Sequence, residues 1–114
     1  MPKKSSKRER RQARRVEVNM WVREERDDYY YLYKATDISE GGLFLEKKIE
    51  PPNFPIQSIF KFTLPKSSRL ISAQGVVAFT STPSEASSKV GSGIKFITIS
   101  NQDKKLISKF LRQN

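Results

Sequence analysis

The chain has 114 residues, a length that favours a single domain with a modest apolar core. It contains no Cys and no His, which excludes disulfides and the thiolate or imidazole ligands of most zinc, copper, haem and iron–sulfur sites. The same absence removes Cys nucleophiles and His general bases. Composition therefore favours a binding protein over a redox or metal-dependent enzyme.

Positive charge is concentrated near the N-terminus. The net charge is +10, and residues 1–15 carry eight basic side chains and one acidic one, which leaves +3 for the rest of the chain. A basic segment on a nearly balanced body predicts an anionic partner, such as a nucleotide, a nucleic acid or an acidic membrane surface. No apolar stretch suits a secretory signal or a membrane span of roughly 20 residues, so we expect a cytoplasmic protein.

The first predicted elements are an arm and a hairpin. Residues 1–14 are charged and lack apolar periodicity, and we expect them to be mobile when no ligand is bound. Residues 16–23 alternate between apolar and polar side chains, which predicts a strand. The acidic cluster at 24–28 is interpreted as an exposed turn, and the tyrosine-rich segment 29–34 has strong β character.

Several shorter strands follow. A break at 37–42 precedes a strand at 43–46, and three prolines within 51–55 predict a loop or an edge crossing. Two further strands are predicted at 59–64 and 70–79. On the second of these, Ala73, Gly75, Val77 and Phe79 are expected to share one face.

The end of the chain predicts a loop, a strand and a helix. Residues 80–89 are rich in Ser, Thr and Pro and predict a surface loop, and 93–99 predict the last strand. Ser100 can cap a helix that has Asp103 at its third position, and apolar residues then recur with helical spacing. Six or seven short strands followed by one helix suggest an antiparallel barrel or sandwich.

Two local patterns can carry chemistry. Arg11 and Arg15 are separated by three residues where the arm joins the first strand, and Arg10 and Arg14 repeat that spacing; by itself the segment is interpreted as a solvated basic arm. The second pattern is DISEGG at 37–42. As a plain turn it would use Asp and Ser to bond backbone amides and glycines to supply positive φ, whereas as a site it would present Asp and Ser to a ligand.

Together the two patterns resemble the signature of the PilZ family. That signature is an arginine pair with three residues between, followed later by Asp or Asn, any residue, Ser, two residues and Gly. The matching segments are RQARR at 11–15 and DISEGG at 37–42. GVVAF at 75–79 and GSGIKF at 91–96 are similar to the family's penultimate core strand and its last strand before the helix. The resemblance covers roughly residues 10–112.

The resemblance implies an all-β fold with one helix. More specifically, it implies a six-stranded antiparallel β-barrel followed by a C-terminal α-helix, with residues 1–9 as a flexible basic arm and 10–114 as the domain. The implied ligand is cyclic di-GMP. The implied activity is that of a bacterial second-messenger receptor without enzymatic function.

The resemblance also assigns the site residues. Arg11 and Arg15 would hold guanine and phosphate, because a guanidinium makes paired hydrogen bonds to either group and stacks on a purine face. Asp37 and Ser39 would meet the guanine edges, and the carboxylate is suited to accept hydrogen bonds from ring N1 and the exocyclic amine. Gly42 would keep the turn open and let the ligand approach the backbone.

Arg10 directly precedes this motif. In similar proteins a basic residue there accompanies two intercalated cyclic di-GMP molecules, and its guanidinium would stack on the outer guanine. The resemblance thus implies one or two ligand molecules per chain. We expect the bound ligand to order the arm over the barrel and change the surface shown to a separate, unidentified protein partner.

Three other interpretations remain open. A basic arm on a small barrel would also suit a nucleic-acid binder, with bases stacked on Trp21 or the tyrosines at 29–33. A PilZ fold without ligand would act as a protein-interaction module. An enzyme is the weakest alternative, because the close carboxylates at 24–28 lie in a predicted surface turn with no reason for shifted acidity.

Overall fold

The computed structural model describes residues 15–47, 49, 57–81 and 90–114. Within them the chain forms β1 (Val16–Arg26), β2 (Tyr29–Ser39), β3 (Gly42–Leu45), β4 (Ser58–Thr63), β5 (Leu70–Ser81), β6 (Gly91–Ile99) and the helix α1 (Asn101–Gln113). The predicted arm and the proline-rich segment 51–55 lie outside the described residues.

The six strands of the described ranges form a closed barrel. Their order is β1-β2-β3-β6-β5-β4, and the ring closes because β1 pairs with β4 as well as with β2. All neighbouring strands run antiparallel. The predicted six-stranded antiparallel barrel with a C-terminal helix is confirmed.

Strand alternation fills the barrel interior. The apolar faces of β1 and β4 point inward and bury their side chains, which are Met20, Val22, Phe60 and Phe62. Side chains from the other strands complete the cluster, including Ala35, Ile38, Leu45, Ile71 and Ile94. Each large side chain buried in this way contributes about 1.5–3 kcal/mol of transfer free energy.

The first hairpin is longer than predicted. Only Asp27 and Asp28 form its turn, and Asp27 adopts the positive φ of 56° that a tight turn requires. The prediction of an exposed acidic turn over 24–28 is therefore wrong for its first part. Glu24 lies in β1 and is only 2% exposed, because the inward alternation of Val22 continues through it.

The buried Glu24 carboxylate is stabilised by donors from two neighbouring strands. The Tyr33 hydroxyl donates to Oε1 at 2.9 Å, and Ser58 Oγ donates to Oε2 at 2.6 Å. Arg26 Nε lies 3.8 Å from Oε2. A buried charge is tolerated only when it is paired or hydrogen-bonded, so this carboxylate ties β1 to both β2 and β4.

The C-terminal helix is joined to the barrel at its first turn. Ser100 Oγ accepts from the Asp103 backbone N–H at 3.1 Å, which confirms the predicted cap. The Asp103 carboxylate accepts from Arg69 Nε at 2.8 Å and from Ser72 N–H at 3.4 Å. The apolar face of α1, which includes Ile107, joins the buried cluster of the barrel. None of the helical segments in the described ranges has the length and apolarity of a bilayer span.

Gly42 allows β3 to lie directly against β6. A Cβ atom at this position would lie 1.8 Å from the Ile94 carbonyl oxygen, well inside van der Waals contact. None of the five glycines has a positive φ, so the interpretation of the turn glycines as positive-φ residues is wrong. Gly42 is needed for the close approach of two strands rather than for turn conformation.

We expect Gly42→Ala to destabilise the barrel by about 1–3 kcal/mol or more, because the added methyl group overlaps backbone that cannot move independently of the sheet. Urea denaturation followed by circular dichroism would measure this change. Gly41→Ala is the matched control, since a Cβ there meets nothing within 4 Å. Equal free energies of unfolding for the two variants would show that stability does not depend on the close β3–β6 approach at Gly42.

Burial raises the pKa of Tyr33, and its hydrogen bond to Glu24 adds to the effect. The folded state thus resists ionisation of the phenol. The resulting stabilisation is complete below the ordinary pKa of 10.0 and is lost as the pH rises above it.

We therefore expect Tyr33→Phe to be less stable than the wild type at about pH 8, by roughly 1 kcal/mol for the lost hydrogen bond. This stability difference should shrink at about pH 11, because the wild type loses the stabilisation that the neutral Tyr33 phenol provides, whereas the Phe variant has no phenol to ionise. Urea denaturation at both pH values would test this. A difference that stays constant with pH would contradict it.

Candidate functional site

The segment between β2 and β3 is held on the barrel by strand pairing. Asp37 and Ser39 lie in the last part of β2, and only Glu40 and Gly41 form the turn before β3. The Phe96 N–H donates to the Gly41 carbonyl at 2.8 Å and fastens the turn to β6. The polar side chains of this segment are therefore positioned by strands rather than by a free loop.

An irregularity in β2 turns Asp37 away from the core. The pairing between β2 and β3 shifts between Ala35 and Asp37, and Ala35 and Ile38 both point inward. Asp37 lies outside the barrel interior but is only 8% exposed, and Thr36 Oγ1 donates to its Oδ2 at 2.9 Å. Ser39 Oγ donates to the Gly42 carbonyl at 3.5 Å, a weak bond that leaves the hydroxyl able to turn toward another partner.

A pocket of about 250 Å³ opens at this turn. Its lining includes four of the six residues that the sequence predicted, namely Arg15, Asp37, Ser39 and Gly42. The other two, Arg10 and Arg11, lie outside the described residues. Within the described part of the chain, residues more than 20 positions apart thus meet at one surface.

Strand register accounts for the position of Arg15. It directly precedes β1, and Val16 pairs with Ile38 of β2. Arg15 therefore falls beside the end of β2, where it is exposed at the edge of the pocket. The residue at which the arm was predicted to join the first strand, Arg15, therefore also lines the pocket.

The opposite wall of the pocket comes from β5 and β6, and sequence reasoning did not identify its side chains. Phe79 is 46% exposed, and its ring occupies the space beside Gly93, where a Cβ would lie 2.1 Å from a ring carbon. The Phe44 ring packs against it, with 6.2 Å between ring centroids. Lys95 adds a second cationic side chain to the lining.

The predicted orientation of Phe79 is wrong because β5 is irregular. Its pairing with β6 shifts between Val77 and Phe79, so alternation counted from the buried Ala73 no longer applies. The strand also continues to Ser81, into the segment predicted as a loop. The similarity at GVVAF correctly predicted a strand, but nothing in these residues predicted the register shift between Val77 and Phe79.

The pocket combines three kinds of contact. Arg15 and Lys95 can bind an anion, and the Asp37 carboxylate can accept hydrogen bonds from a donor edge. Phe79 offers an aromatic face to a planar group. Among the described residues, no cluster of three or more carboxylates suits a metal ion. The lining thus fits a ligand that has negative charge, a planar ring and hydrogen-bond donors.

The chain was compared with known proteins. The solved structure of the Bacillus subtilis inhibitor of motility, MotI/DgrA, matches with a TM-score of 0.72 and 18% identity, covering 91% of this chain and 50% of that chain. The chain thus spans about half the length of MotI/DgrA, and the likeness shows a shared fold. No curated protein matches. A family model described as PilZ domain matches residues 9–113, and the chain therefore belongs to the PilZ family.

Proposed function

We propose that this protein is a bacterial receptor for cyclic di-GMP and binds it in the pocket at the β2–β3 turn. PilZ domains form a family of cyclic di-GMP receptors and act as binding modules rather than enzymes. The observation that carries the proposal is the convergence on one pocket of Arg15, Asp37, Ser39 and Gly42. Two of its walls are held in place by strand pairing, which favours a preformed site.

The chemistry of the lining suits guanine and phosphate. The Asp37 carboxylate would accept from guanine N1 and the exocyclic amine, with Ser39 at the same base edge. Arg15 would bind a phosphate oxygen or guanine O6 and N7, since its fork of donors matches either group. Phe79 would stack on the base face.

The arm would complete the site. The pocket of about 250 Å³ is smaller than the roughly 300–1,000 Å³ that a drug-sized ligand occupies, so it would hold part of a cyclic dinucleotide. Arg11, together with Arg15, would bind guanine and phosphate. Arg10 would stack on a guanine of a second ligand molecule. Binding would order residues 8–15 and thereby change the surface offered to a partner protein.

Calorimetric titration of cyclic di-GMP into the wild type and Arg15→Ala tests the ligand. We expect the variant to bind roughly ten-fold more weakly or worse, because a charge-assisted hydrogen bond is lost. Arg112→Ala is a suitable control, since Arg112 lies exposed in the last turn of α1. The stoichiometry would decide between one and two molecules per chain.

The outcomes of this titration are distinct. Cyclic di-AMP should not compete, because adenine N1 carries no proton and adenine has no amine at C2, so it lacks the paired donors that the Asp37 carboxylate would bind. Absence of binding by the wild type would refute the ligand and every role assigned to the pocket, while leaving the fold unaffected.

Amide hydrogen exchange tests the proposed ordering of the arm. We expect exchange in residues 8–15 to slow when cyclic di-GMP saturates the protein, because contacts with the anionic ligand would protect these amides. The slowing in residues 8–15 should exceed any slowing of the α1 amides, since no α1 residue lines the pocket. Fast exchange in residues 8–15 at saturation would contradict this output mechanism even if the ligand binds.

A further inference from the structure

A second concave surface lies on the outer face of β1, β2, β4 and β5. This groove has a volume of about 490 Å³ and shares no lining residue with the pocket at the β2–β3 turn. Its walls are the apolar side chains Trp21, Leu32 and Leu70, which are 62%, 60% and 54% exposed. Three large apolar groups exposed around one groove are typical of an interaction surface rather than of solvated protein.

The floor of the groove is cationic. Strand register places Arg23 between Leu32 of β2 and Lys61 of β4. Arg23 and Lys61 share a single carboxylate, that of Glu25, at 3.0 and 3.2 Å. Two cations that share one carboxylate leave an excess of positive charge at the centre of an apolar surround.

Arg23 also has unused hydrogen-bonding capacity. Its Nε is buried and has no hydrogen-bond partner within the described ranges. A further cation lies at the edge, where Lys34 Nζ is 5.6 Å from the centre of the Trp21 ring. An incoming carboxylate would compensate the excess charge through the exposed part of the Arg23 side chain, which is 40% exposed.

We propose that this groove docks an acidic segment of a partner protein. A carboxylate of the segment would lie over Arg23 and Lys61, and its apolar neighbours would pack on Trp21, Leu32 and Leu70. Trp and Arg are the residue types that dominate binding energy at protein interfaces, particularly where apolar walls exclude water. The inference concerns a different face from the ligand pocket and does not depend on the ligand.

Two other occupants fit less well. A second copy of the chain, placed face to face, would bring two cationic floors together, which costs free energy. A single-stranded nucleic acid would use the aromatic ring and the cations but would leave Leu32 and Leu70 without a role. The apolar walls and cationic floor together favour an acidic peptide with large apolar residues.

The groove contains its own reporter, because Trp21 is the single tryptophan of the chain. The probe is a blocked synthetic peptide that alternates Glu and Leu, compared with the same peptide carrying Gln in place of Glu. We expect the Glu peptide to shift the Trp21 emission to the blue with saturation. The Gln peptide should bind roughly ten-fold more weakly, since it lacks the charge-assisted contact.

Matched variants locate the binding. Leu32→Ser and Lys61→Gln should each weaken binding of the Glu peptide roughly ten-fold, by removing a wall and a floor contact. Ile97→Ser is the control, because Ile97 is comparably exposed on β6 outside the groove. Calorimetry with cyclic di-GMP should give the same result for Leu32→Ser and the wild type, which separates failure of the groove from failure of the ligand pocket.

Several results would overturn the inference. Equal binding of the Glu and Gln peptides would refute the role of the cationic floor. Stronger binding of oligothymidylate than of the Glu peptide would assign the groove to nucleic acid. Self-association in sedimentation that Leu32→Ser abolishes would assign it to a second copy. Absence of any emission change would refute the groove as a docking site.

Discussion

The close approach of β3 to β6 at Gly42 is the contact on which both the barrel and the pocket depend. β3 has four residues and joins β2 to β6 in the ring of strands. A side chain at Gly42 would meet the Ile94 carbonyl, so the strands pair at this point only because glycine has no Cβ. The same pairing places Asp37 and Ser39 opposite the wall that β5 and β6 supply. Barrel closure and pocket formation thus share one geometric requirement.

Acidic side chains connect other parts of the structure. Glu24 joins three strands through the donors of Tyr33 and Ser58, and Asp103 joins the helix to β5. The helix also contacts the β2–β3 turn, where Ser108 Oγ donates to the Glu40 carboxylate. In each case an acidic side chain connects elements that are distant in sequence, and the barrel positions both the helix and the turn.

The pocket and the groove lie on different parts of the surface and differ in the kinds of residue that line them. The pocket presents cations, a carboxylate and an aromatic ring, whereas the groove presents apolar walls over a cationic floor. β1 contributes to both, since Arg15 directly precedes it and Arg23 lies within it. If both proposals hold, ligand and partner would bind on separate faces of the barrel, with Arg15 at the edge of the pocket.

Alternation, turn residues and motif spacing are local patterns, and they predicted six or seven strands, a capped C-terminal helix and the resemblance to the PilZ family. The motif also identified Asp37 and Ser39 as site residues but assigned them to a turn, whereas strand pairing places both at the end of β2. The tertiary structure, by contrast, buries Glu24, whose donors come from two other strands. It also decided that Phe79 lines the pocket, because an irregularity in β5 reverses the alternation beyond Val77. Gly42 was identified by its motif, but its physical role depends on Ile94, which is 52 residues away in sequence. A contact of this kind cannot be predicted from the residues of either strand alone, because it arises only when the two strands come together in the fold.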